Sequence, residues 1–92
     1  MASPTEIGLR IAKLRTMAGV SSRELSGLVG LSHSALWQLE SGVISDTRTS
    51  VARSIAEVLG VTLDWLLAGE GDEPEATVVQ EAIVRARAKG AA

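Results

Sequence analysis

The stretch Ser21–Gly42, SSRELSGLVGLSHSALWQLESG, holds two short apolar-striped segments on either side of a single glycine. Few folds accept that pattern, because it dictates two helices meeting at a sharp corner. Ser21 and Glu24 have the S-x-x-E capping-box spacing, in which a hydroxyl and a carboxylate satisfy free backbone donors at a helix start. Leu25, Leu28 and Val29 then recur at i, i+3 and i+4, the signature of one helix face. Gly30 follows where a left-handed residue closes a helix at least cost. Leu31 packs into the corner, and Ser32 caps the second helix. Leu36 and Leu39 point that helix's apolar side inward, which turns Ser34, Trp37, Gln38 and Ser41 outward at 3.6 residues per turn. Gly42 ends it.

Two helices joined by a short glycine-containing turn match the helix-turn-helix motif, whose second helix enters the DNA major groove. The chain resembles the Xre/Cro group of phage and bacterial repressors from about Ile7 to Gly69. The resemblance is carried by IGLRIAKLR at Ile7–Arg15, the helix pair with Leu39 and Glu40, IAEVLGV at Ile55–Val61 and LDWLLAGE at Leu63–Glu70. It implies an all-α fold, with a five-helix repressor-like helix-turn-helix domain followed here by one C-terminal amphipathic helix. It also implies a transcriptional regulator that binds DNA as a dimer on a two-fold symmetric operator.

A chain of 92 residues makes one small domain with a modest stability margin. Its only two aromatics are tryptophans, so the expected core is aliphatic. The absence of cysteine excludes disulfides, thiolate metal sites and a cysteine nucleophile. No apolar run approaches the roughly 18 residues that would read as a membrane span, and no signal-peptide pattern opens the chain, so a cytoplasmic protein is expected. The formal net charge is −2, an unusual balance beside the basic footprint of most DNA-binding domains. Residues 1–69 are balanced, with six basic and six acidic residues, so the acid excess lies in the tail.

The rest of the chain supplies the framework. Ser3, Pro4 and Glu6 predict a first helix starting near Pro4, with Ile7, Ile11, Leu14 and Ala18 buried and Gly19 as its stop. Asp46 or Thr47 is placed to cap a fourth helix through Val51, Ile55, Val58 and Leu59 to Gly60. Thr62 caps a short fifth helix closed by Gly69, with Trp65 packed on the core. The expected organisation is a domain over residues 1–69, an acidic linker over 70–76 and a C-terminal helix over 77–92. Asp72 and Glu75 form a further cap pair for that last helix, which is expected to end before Gly90. Its apolar stripe of Val78, Val79, Ala82, Ile83 and Ala86 must be buried. Two outlets exist: folding back on its own domain, or pairing with a second copy through Val79 and Ile83.

On a DNA-binding reading, the second helix of the pair offers His33, Ser34, Trp37 and Gln38 to base edges. Phosphates suit helix N-termini, where free amides and the dipole favour anions. By position in the resembled family, Ser22, Arg23, Thr47 and Arg48 take that role, and Arg15 and Glu40 form an ion pair tying the first helix to the third. Trp37 sits oddly on such a face, because indole offers one donor and a large apolar area. Together with Val43 and Ile44 it suggests an alternative, a helix-turn-helix module that grips a protein such as a repressor, an anti-repressor partner or its own second copy. No metal-ligand cluster, phosphate loop or nucleophile–base pattern is present, so neither a cofactor nor an enzyme is expected.

Overall fold

A computed structural model describes residues 6–41 and 49–91. Among these residues six helices follow one another: α1 (Glu6–Ala18), α2 (Ser22–Val29), α3 (His33–Ser41), α4 (Thr49–Leu59), α5 (Leu63–Ala68) and α6 (Ala76–Ala91). The described residues contain no strand, and the fold is all-α. None of the helices is long and apolar enough to cross a membrane. The expected helix start near Pro4, the stop at Gly42 and the caps at Asp46 or Thr47 lie outside the described residues.

Local chemistry accounts for the element ends. Ser21 Oγ accepts a hydrogen bond from the Glu24 amide at 3.1 Å, Ser32 Oγ one from Ala35 at 3.0 Å, and Thr62 Oγ1 one from Trp65 at 3.1 Å. Each satisfies an amide that the helix itself leaves free. At the other end of α2, Gly30 takes the left-handed conformation at φ 77°, and the Leu31 amide reaches back to the Ser26 carbonyl at 2.8 Å. That six-to-one bond is the Schellman closure, which fixes the corner into α3.

The helices close around an aliphatic core. Ile11 and Leu14 of α1, Leu25 of α2, Leu36 of α3, Ile55 and Leu59 of α4 and Leu66 of α5 are all fully buried. Trp65 joins them at the edge, 7% exposed. α3 packs between α1 and α2, so its two leucines are spent on the core and its other side is left to solvent.

α6 does not stand apart. Val79 and Ile83 are 0% and 1% exposed and belong to the same cluster as α1–α5, with α6 lying along α1 and α4. Of the two outlets open to the stripe, folding back on its own domain is the one seen: within one chain Val79 and Ile83 are already covered. The seat is a close one. At Gly60, which closes α4 with φ 71°, an added Cβ would stand 2.7 Å from the Ala82 Cβ. A side chain there would hold α6 off the domain, so glycine serves the turn and the approach together.

The segment before α6 also differs from expectation. The helix begins at Ala76, with the Glu75 carbonyl accepting from Val78 and Val79, so its start lies at Glu75 rather than at Asp72. Pro74 accounts for this, because a residue preceding proline is driven out of the helical region. Glu73, the residue so affected, instead pairs with Lys13 of α1. At the far end α6 runs through Gly90 to Ala91 rather than stopping before Gly90. One helical glycine costs about 1 kcal/mol, and the alanine that follows is the strongest helix former.

Candidate nucleic-acid interface

The corner between α2 and α3 brings together the first residues of both helices. Ser22 Oγ and His33 Nε2 share a hydrogen bond of 3.0 Å, so the N-terminal turn of α2 and that of α3 are linked by side chains. In the neutral ring either partner donates, depending on the tautomer. Arg23, next to Ser22, is exposed. An exposed cation beside free helix-start amides makes a local environment favourable to an anion.

Along α3 the outward strip consists of His33, Ser34 and Trp37, all exposed, with Gln38 half-buried at its flank. At about 100° per residue, Trp37 projects roughly 40° from His33 and 60° from Ser34, so the three share one face. Trp37 is 56% exposed. The other exposed large hydrophobics among the described residues, Leu9, Leu67, Val78 and Val84, lie on α1, α5 and α6. The remaining expected contacts, Thr47 and Arg48 for phosphate and Val43 and Ile44 for a protein partner, lie outside the described residues.

Behind the strip, α3 is tied to α1 through Arg15 and Glu40. Arg15 donates from Nε to Glu40 Oε1 at 3.2 Å, with a terminal nitrogen in ion-pair contact with the same oxygen at 3.1 Å, while its other terminal nitrogen donates to the Val20 carbonyl at 3.2 Å. The side chains are only 25% and 11% exposed. Glu40 Oε2 is buried with no partner among the described residues. A charge so placed depends heavily on its counter-ion.

α6 adds two ties here that the residues alone do not announce. Glu24 was expected to bond back to its own helix start, completing the capping box. Its carboxylate instead takes a two-pronged bond from Arg87 of α6, at 2.8 and 2.9 Å. Gln80 of α6 donates to the Met17 carbonyl at the end of α1, at 3.1 Å. A signal was present in the basic residues closing α6, but an ordinary helix-dipole role accounted for them equally well. The Arg87 guanidinium holds the Glu24 carboxyl below the usual carboxylate range, and Glu24 raises Arg87 in turn. A depressed carboxyl stabilises the fold above its unfolded pKa and loses that contribution as pH falls through the folded one. The stability difference between wild type and Glu24→Gln should thus be present at pH 7 and shrink below about pH 4, measured by urea denaturation at both pH values.

A comparison with protein-family models adds one finding. The family described as the helix-turn-helix domain matches residues 8–72, from α1 through α5 and into the segment before α6. With the α2–α3 corner and the outward strip of α3 in place, the chain belongs to the helix-turn-helix domain family.

Proposed function

We propose that the protein is a sequence-specific DNA-binding transcriptional regulator of the Xre/Cro type, acting in the cytoplasm as a dimer on a two-fold symmetric operator. The observation that carries this reading is the arrangement of α2 and α3. α2 presents its N-terminal turn, with Ser22 and Arg23, beside a helix whose solvent face holds the hydrogen-bonding side chains His33, Ser34 and Gln38. Phosphate contacts at helix ends fix register, and side chains on the second helix read bases. Gln38 suits adenine, to which an amide can bond twice, while Ser34 and His33 have donors or acceptors for either strand. No Lys or Arg occurs between Glu24 and Thr47, so the reading helix adds no cation of its own. Few phosphates are then neutralised by side chains, and the dependence of affinity on salt should be shallow.

The test is a binding titration at low salt with duplex DNA flanking the protein's own gene, comparing wild type with Gln38→Ala. Retarded complexes that weaken by roughly 5- to 150-fold per half-site in the variant support the reading, since one good base contact is worth about 1–3 kcal/mol. A protein that binds no such duplex, or binds all sequences alike in both forms, removes it. Gel filtration of the full chain with and without the bound duplex tests the dimer.

A further inference from the structure

Trp37 is the one large apolar side chain on the solvent face of α3 among the described residues, and it stands between polar neighbours. His33 and Ser34 flank it within one turn, and the half-buried Gln38 follows. A protein-docking surface normally places its aromatic anchor inside a contiguous apolar patch. Here the described exposed hydrophobics are scattered over other helices. On α3 the ring lies among polar side chains, and an apolar ring in such a strip complements an isolated apolar group in a polar groove. At the base edges of the DNA major groove that group is the C5-methyl of thymine.

We propose, resting on the DNA-binding reading above, that Trp37 is a specificity-determining residue that packs its indole on a thymine methyl in each half-site. His33, bonded through Nε2 to Ser22, is restrained beside it and retains only Nδ1 for DNA. Trp37 makes no hydrogen bond among the described contacts and has its ring free to lie against a methyl. The indole thus supplies sequence discrimination where the helix has no cation to bond guanine.

The experiment separates this proposal from the reading it rests on. Full-length wild type selects duplexes from a randomised 24-base-pair pool. In a selected duplex each thymine is then replaced singly by uracil, which keeps every hydrogen-bonding atom and removes only the methyl. Burying one methyl group is worth about 0.8 kcal/mol, so one thymine per half-site should show a roughly fourfold loss of wild-type affinity on replacement. Trp37→Ala should bind thymine and uracil forms of that position equally, while Trp37→Phe keeps part of the preference. Thermal melting of both variants checks that the fold is intact, which the exposure of the ring leads one to expect. If a duplex is selected but no uracil substitution matters, or the preference persists in Trp37→Ala, the Trp37 assignment falls and the DNA-binding reading stands. If no duplex is enriched, both fall.

Discussion

Replacing Ile83 by aspartate should unfold most of the protein at 25 °C, whereas the same change at the next residue, Val84, should shift stability by less than about 0.5 kcal/mol. Ile83 is 1% exposed and Val84 is 61% exposed, although both lie on α6. Removing a fully buried isoleucine forfeits about 1.5–3 kcal/mol of apolar burial. Placing an unpaired carboxylate there adds a several-fold larger desolvation penalty, which the chain escapes only by protonating the group or releasing α6. Small domains hold roughly 5–15 kcal/mol in total, and one of this size sits low in that range. Urea denaturation followed by circular dichroism reads the difference. Were α6 an arm that matters only between two copies, Ile83→Asp would leave the monomer's unfolding midpoint unchanged.

The second large effect concerns the pair behind the reading helix. Glu40→Ala should cost about 3–5 kcal/mol, because Arg15 is left three-quarters buried with, among the described residues, the Val20 carbonyl as its remaining partner. Glu57, exposed on α4, provides the control, and Glu57→Ala should change stability by less than about 0.5 kcal/mol. Equal unfolding midpoints for the two alanine variants would remove the ion pair from the account of stability. Because Arg15 and Glu40 join α1 to the last turn of α3, Glu40→Ala should also loosen α3 before the rest of the domain. Hydrogen exchange of the α3 amides would show this as lost protection at that helix first.

The features legible in the residues are those set over short chain distances. Ser21, Ser32 and Thr62 each cap the helix expected of them, since a hydroxyl two or three residues from a free amide has one obvious partner. Leu36 and Leu39 fall inward and Trp37 outward by helical period alone. Beyond the Arg15–Glu40 pair, which the family resemblance implied, contacts between distant segments were not legible. An amphipathic stripe states that Val79 and Ile83 must be buried, but not against which surface. Glu24 had a partner within its own turn by pattern, and a stronger donor 63 residues away displaced it. The link between Ser22 and His33 depends on the angle of the corner, which the residues of the turn permit without specifying.

The seat of α6 on Gly60 makes two positions, 22 residues apart, trade in the same volume. A methyl added at Gly60 competes for the space that the Ala82 methyl already fills. Their substitutions should therefore be epistatic: Ala82→Gly, harmful alone through lost packing and helix propensity, should partly compensate Gly60→Ala by clearing the collision. The left-handed backbone strain at Gly60 would remain as the uncompensated part.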